Sequence, residues 1–315
     1  MSIAMRDAFG KRLAELGAIH ERLVVLDADV SSSTKSALFG KQFPDRFYNC
    51  GVSEANMVGV AAGLATAGLI PVVNAFAIFL ALKGTDQIRN DICYNNLPVI
   101  IAGAYGGLSD SFDGASHQSI TDIAIMRAMP NMEVIVPSDS RQAELALEYA
   151  LTRDNPVYIR LNRNPMPAVP EPANFASREV ILMQEGSDIT IAANGITAAM
   201  AHEAGTMLAD RGIKAEILSV PFVKPLDKKG LSASVRKTGR LISVEEHTVI
   251  GGFGGACLEA LAPEGFPYTY RAIGIQDTFT ETGPYDELLE AYTLSANHIV
   301  TVAEELMKPE QGERI

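Results

Sequence analysis

From residue 1 to about 162, short apolar runs bounded by turn residues alternate with longer segments of helical period. That alternation restricts the chain to a mostly parallel sheet flanked by helices. The spacing predicts strands over 23–26, 72–75, 99–102, 133–136 and 157–161. Between them Ser53 reads as the cap of a helix through Met57, Val60, Ala61 and Leu64, and Ser138 as the cap of one through Ala143, Leu147 and Ala150. Ahead of the first strand, Met5, Phe9, Leu13 and Leu16 recur at helical spacing.

The stretch 164–172 carries Pro165, Pro167, Pro170 and Pro172. Proline removes a backbone donor and holds the chain extended, so the regular alternation stops there. It resumes with strands expected over 189–193, 215–220 and 240–244 and helices over 198–210 and 254–261. A chain of 315 residues that is 47% hydrophobic exceeds the length at which one core stops growing. We therefore expect an α/β protein with a first domain over 1–163, a proline-rich linker over 164–177 and a second, smaller α/β domain over 178–315.

Charge and cysteine usage narrow the function classes. With 26 basic against 38 acidic residues, the net charge of −12 repels a phosphate backbone and argues against nucleic-acid binding. Cys50, Cys93 and Cys257 are odd in number and widely spaced, which indicates neither a disulfide framework nor a metal site and fits a reducing cytoplasm. The N-terminal segment lacks the apolar core of a signal peptide, and no run approaches the roughly 20 apolar residues of a membrane span.

Four segments carry chemistry. In CGVSEANMVGVAAGLATAG, Glu54 stands at a strand-to-helix turn ahead of a small-residue face made by Gly59, Ala61, Ala62, Gly63 and Ala65. An acid in the first helical turn is ordinarily a partner of the helix dipole; next to a face that admits close approach, it also fits a carboxylate presented at a subunit seam. In NAFAIFLALKGTDQIRNDICYNNLPV, Phe76 and Phe79 share one face of a turn and read either as core or as a stacking wall. YGGLSDSFDGASHQSI places Asp113 and His117 four apart in a glycine-rich loop. Arg160 and Arg163, in YIRLNRNPMP, read either as a solvated strand end or as an anion clamp. Beyond the linker, Gly251, Gly252, Gly254 and Gly255 do not spell a dinucleotide fingerprint and read as a tight turn. Glu245, Glu246 and His247 stand at a strand end, where functional and structural roles are equally open.

Together these segments resemble the transketolase family. The run Gly51-x-x-Glu54-x-Asn56-Met57, the DGASHQ loop, the following PNMEVIVPSD, and VPFVKPLDKKGL and LISVEEHTVIGGFGGA in the second half carry the likeness. The resemblance implies a pyrimidine-binding domain followed by a Rossmann-like transketolase C-terminal domain, and a thiamine-diphosphate-dependent transfer of two-carbon ketol units between sugars. It implies that Glu54 shares a proton with the ring nitrogen of the cofactor pyrimidine, that Phe76, Phe79 and Asp29 border the cofactor, and that His117 bonds substrate oxygens near the reacting carbon. Asp113 would read a sugar hydroxyl, while Arg163, Arg6 and Ser33 would hold a sugar phosphate.

The sequence departs from the family at Tyr105, where a histidine usually stands beside the phosphate. That departure opens the site to a sulfonate, a branched sugar phosphate or a different chain length. No Gly-Asp-Gly occurs, so this chain holds no metal by this reading. Mg²⁺ (or Ca²⁺) and the diphosphate would belong to a partner, an N-terminal transketolase subunit, in an assembly with two copies of each chain. The likeness covers nearly the whole chain but only the latter half to two-thirds of a full-length transketolase. A 1-deoxyxylulose-5-phosphate synthase-like subunit or the beta subunit of a 2-oxo-acid dehydrogenase is the alternative, against which the DGASHQ loop speaks. Against a non-catalytic regulatory homologue stands the joint presence of Glu54, Asp113, His117 and Arg163.

Overall fold

A computed structural model describes residues 3–308; residues 1, 2 and 309–315, the last belonging to the expected second domain, lie outside the described residues. The first half supplies β1 (Leu23–Asp27), β2 (Phe47–Asn49), β3 (Ile70–Phe76), β4 (Ile100–Ala104), β5 (Glu133–Ile135) and β6 (Val157–Arg160). The second supplies β7 (Ile181–Gln184), β8 (Ile189–Ala193), β9 (Ala215–Ser219), β10 (Phe222–Lys224), β11 (Arg240–Thr248) and β12 (Thr269–Ile275). They form two sheets, in the orders β10-β5-β6-β4-β3-β1-β2 and β12-β11-β8-β9-β7. Every neighbour is parallel except β10 on β5 and β7 on β9.

β1, β4 and β8 are buried along their whole length, as strands covered by helices on both faces must be. The N-terminal helix Met5–Gly17 buries Met5, Phe9, Leu13 and Leu16, each worth about 1.5–3 kcal/mol of removed apolar surface. It packs on helix Ser140–Ala150, and Arg12 reaches Glu148 at 2.9 Å across that contact.

Three observations refine the sequence reading. Asp139, rather than Ser138, caps the helix Ser140–Ala150: its carboxylate accepts from the Gln142 amide at 2.8 Å, and its other oxygen from the Val169 amide at 2.9 Å. Ser138 instead meets the Ser219 hydroxyl in the interior at 3.0 Å. Ser53 occupies the cap position of helix Glu54–Thr66, but its side chain makes no capping bond.

The third concerns the linker. β10 lies in the chain after the prolines, yet it pairs with β5, Phe222 opposite Ile135 and Lys224 opposite Val134. Phe222 also packs edge-to-face on Tyr149 and at a tilt on Phe175, at ring separations of 5.1 and 5.0 Å. One buried apolar cluster consequently runs from Phe9 and Leu13 through Ile135 and Phe222 to Ile191 and Ile217.

Candidate active site

Glu54 opens helix Glu54–Thr66 with a side chain only 5% exposed, and the Lys83 ammonium approaches it at 3.3 Å. Lys83 is half exposed and also sits 4.1 Å from the centroid of the Phe79 ring. A dipole partner alone would sit in solvent, whereas a buried carboxylate requires a charged or hydrogen-bonding neighbour. The lysine fills that role and joins the acid to the aromatic group beside it.

That group is made of four rings. Phe76 ends β3, and Phe79 follows on helix Ala77–Lys83. Their centroids are 5.9 Å apart with planes 27° from parallel. Tyr105 lies 4.5 Å from Phe76, and the His117 imidazole meets Phe79 edge-on at 5.1 Å. Both phenylalanines are half-buried rather than packed in the core, so together they form a wall with an open side.

Tyr105 also stands between two arginines. Arg6 lies 5.3 Å and Arg163 5.0 Å from its ring centroid, within the range in which a cation is drawn to an aromatic face. The Arg6 guanidinium donates to the Tyr105 hydroxyl and, at 3.2 Å, to the Ser33 carbonyl. Ser33 is placed by the buried Asp27 carboxylate, which accepts from the Val30 amide and from the hydroxyls of Thr34 and Ser36. Arg163 donates to Asp110 at 3.1 Å. Asp110 is buried, and that burial, with the neighbouring charge of Asp113, pushes its carboxyl up to about 6 against the pull of Arg163.

The loop carrying Asp113 and His117 is held from the second half of the chain. Gln118 donates to the Glu281 carbonyl at 3.0 Å, and the Gly283 amide bonds the Ser111 carbonyl at 3.2 Å. Gly114 takes φ +75°, and a Cβ there would fall 2.6 Å from the Thr282 hydroxyl. Asp113 is exposed and His117 half-buried, its Nδ1 3.0 Å from the Ser116 hydroxyl.

Below the loop lies a buried polar network. Arg160 is not a solvated strand end: its side chain is 5% exposed, it pairs with Asp122 at 2.9 Å, and it donates to the carbonyls of Ser119 and Glu246. Glu246, on β11, accepts from the Leu108 amide at 2.9 Å, the Tyr285 hydroxyl at 2.7 Å and Asn162 at 3.3 Å. Burial pushes its carboxyl up to about 7, while Arg160 opposes the shift. Glu245 accepts from the amides of Phe253 and Gly254, at 2.6 and 2.8 Å, and so satisfies the first turn of helix Phe253–Leu261. Glu245 and Glu246 thus act in the structure rather than at an open site. The nearby glycines do shape a tight turn: Gly251 has φ +74°, and a Cβ on Gly252 would meet Glu245 at 2.1 Å.

The structure brings Glu54, Phe76, Phe79, His117, Tyr105, Arg6, Ser33 and Arg163 into one neighbourhood. Asp29, two residues past the end of β1, is exposed at φ +66° and accepts from the Asn49 side-chain amide at 2.9 Å. Lys83 and Asp110 were not singled out from the sequence, although a lysine four residues after Phe79 was a legible signal for the first. A groove of about 550 Å³ runs beside the loop, lined by Ile78, Leu82, Ser116, Gln118, Thr248 and Phe279. A larger concavity, about 1000 Å³, follows the proline-rich stretch and Tyr285 and includes none of the residues just described except through the Tyr285 end of the network. Among the described residues, no helix is long and apolar enough to cross a membrane.

Comparisons with known proteins agree with the two-part α/β fold. Residues 1–168 match the transketolase pyrimidine-binding domain and residues 178–299 the transketolase C-terminal domain. The chain is 40% identical to the 6-deoxy-6-sulfo-D-fructose transketolase subunit SqwH of Clostridium sp. MSTE9, covering 96% of this chain and 94% of that one. A solved structure described as a split gene transketolase, inactive beta4 tetramer, is 42% identical with a TM-score of 0.88, over 98% of this chain and 99% of that one. The 1-deoxy-D-xylulose-5-phosphate synthase of Symbiobacterium thermophilum is 36% identical over 97% of this chain, which spans 47% of that enzyme.

Proposed function

The chain belongs to the transketolase family, and from that premise we propose that it is the C-terminal-type subunit of a two-chain transketolase, moving a two-carbon ketol unit from a ketose donor to an aldose acceptor. The observation that carries this reading is the buried Glu54 carboxylate, joined through Lys83 to a half-buried aromatic wall with His117 at its edge.

The family depends on thiamine diphosphate, and the residues here suit the pyrimidine half of that coenzyme: a ring needs an apolar face, and its nitrogen needs an acid shielded from water. When bound, the coenzyme supplies the carbon nucleophile that attacks the ketose carbonyl. Glu54 holds and shares the proton at the pyrimidine nitrogen, in a position where burial strengthens the interaction. Phe76 and Phe79 exclude water from that side, and His117 bonds substrate oxygens near the reacting carbon. Asp113 reads a sugar hydroxyl, and Arg6, Ser33 and Arg163 border the far end of the substrate. Asp29, exposed just beyond β1, borders the cofactor in this reading.

The diphosphate and its Mg²⁺ or Ca²⁺ fall to an N-terminal-type partner, in an assembly of two copies of each chain. The absence of Gly-Asp-Gly from the sequence supports this division, as does the split-gene relative, described as inactive when its beta chain stands as a tetramer. A cytoplasmic location agrees with three free cysteines, of which burial pushes the Cys93 thiol up to about 11. The second reading, 1-deoxyxylulose-5-phosphate synthesis, rests on the 36% identity to that synthase.

Titration of thiamine diphosphate with Mg²⁺ tests the division of labour. We expect no saturable binding by this chain alone and binding once the N-terminal-type subunit is added; saturable binding by the chain alone would overturn it. Offering the assembled pair ketoses and pyruvate separates the two reactions, since activity with pyruvate only would select the synthase.

A further inference from the structure

We infer that Asp110 is a specificity-determining residue that fits the far-end pocket to a ketose bearing a singly charged terminal group, such as a sulfonate, and selects against a phosphate dianion. The inference rests on the ketol-transfer reading of the same site.

It follows from which charges already have partners. Arg6 and Arg163 flank Tyr105, and Lys35 lies next to Arg6 through their common neighbour Asp7. Lys35 is paired with Asp7 at 3.4 Å, and Arg163 with Asp110 at 3.1 Å. Asp7 is 3.9 Å from the Arg6 guanidinium, too far for a hydrogen bond, and is already shared with Lys35. Arg6 is therefore the guanidinium without a dedicated carboxylate, and it is already aimed at the Tyr105 hydroxyl and the Ser33 carbonyl. Asp113, exposed to solvent, adds negative charge on the substrate side.

A dianion needs two uncompensated positive charges or their equivalent in hydrogen bonds. Here a phosphate seated on Arg163 would stand beside the Asp110 carboxylate. That carboxylate cannot turn away: its side chain is 1% exposed, and its second oxygen is buried with no hydrogen-bond partner. Tyr105 reinforces the restriction. It contributes a single neutral hydroxyl, and its ring fills the space between the two arginines. The pocket so formed offers one guanidinium without a dedicated carboxylate, a hydroxyl and an apolar ring, which matches a monoanion better than a dianion.

The test uses the assembled enzyme with its N-terminal-type subunit and thiamine diphosphate, at about pH 7.5, where a carboxyl that titrates near 6 is ionised. Three ketose donors of equal chain length are compared by kcat/KM, ending in a hydroxyl, a sulfonate or a phosphate. 3-Hydroxypyruvate, a ketol donor with no far end, serves as the reference. We expect the sulfonate to exceed the phosphate by about tenfold or more, the scale of discrimination from one misplaced charge at a half-exposed site, with the difference in KM rather than kcat. Asp110→Asn keeps the acceptor for Arg163 and removes the charge, so it should shrink the sulfonate-to-phosphate ratio toward one.

The phosphate or hydroxyl donor leading in the wild type would overturn the inference without need of any variant, and so would a ratio unchanged in Asp110→Asn. Transfer from 3-hydroxypyruvate alongside either result leaves ketol transfer intact and the specificity assignment refuted. Failure of 3-hydroxypyruvate and all three ketoses would refute the ketol-transfer reading itself.

Discussion

Replacing Glu246 tests how the second half of the chain holds the substrate loop. Its carboxylate accepts from the Leu108 amide, the Tyr285 hydroxyl and Asn162, all in the interior, with the Arg160 guanidinium 3.9 Å away. Glu246→Ala leaves these donors unmatched and Arg160 with one counter-charge fewer, so we expect a loss of about 3–5 kcal/mol. Glu246→Gln retains an acceptor for Leu108 and Tyr285 and should cost about 1–2 kcal/mol near pH 5, where the native carboxyl is protonated. Between the ordinary carboxyl value of 4.5 and the folded value of about 7, the native state keeps a proton that the unfolded chain releases. Wild-type stability therefore falls as pH rises through that window, by at most about 3 kcal/mol at roughly 1.4 kcal/mol per unit. Glutamine does not titrate, so its deficit relative to wild type should shrink between pH 5 and 7.5. The sequence contains no tryptophan, which makes far-UV circular dichroism in urea the suitable readout. Parallel stability profiles for wild type and Glu246→Gln, or an alanine variant within about 1 kcal/mol of wild type, would refute the reasoning.

In the assembled enzyme Glu54→Ala should lower kcat by about 10²–10⁴, the range for loss of a positioned proton-transfer group, with folding by circular dichroism unchanged. His117→Ala should act more on the KM for ketose than Glu54→Ala does, as steady-state kinetics with a saturating acceptor will show. Gly107 takes φ +67°, and a Cβ there would lie 2.1 Å from the Glu246 carboxyl carbon; Gly107→Ala should therefore destabilise by about 2–4 kcal/mol in the same urea assay.

What was legible in the sequence follows from where each residue's contacts lie. The strand over 189–193 coincides with β8 and the one over 23–26 falls inside β1, because a strand buried on both faces has to be apolar at every position. β2 and β10 are three residues long, and β7 and β12 are edge strands with partly exposed side chains, so no apolar run announced them. Ser138 and Asp139 are both cap formers; the outcome was decided by the Val169 amide, 30 residues further on. The site divides the same way. Glu54, Phe76, Phe79 and His117 sit in recognisable segments, whereas the partners that hold them or set their charge are remote: Lys83 is 29 residues from Glu54, Asp110 is 53 from Arg163, and Glu246 is 138 from Leu108. Residue pattern alone carries no record of such pairings.

The crossing of β10 has a consequence for any attempt to divide the chain. A fragment ending at the prolines would strip β5 of its outer neighbour and expose Val134 and Ile135 with their backbone groups unpaired, an invitation to intermolecular strand addition. The complementary fragment would carry Phe222 into solvent, torn from Tyr149 and Phe175. Two family signatures are written one after the other along this polypeptide, but β10 ties the second of them into the sheet of the first.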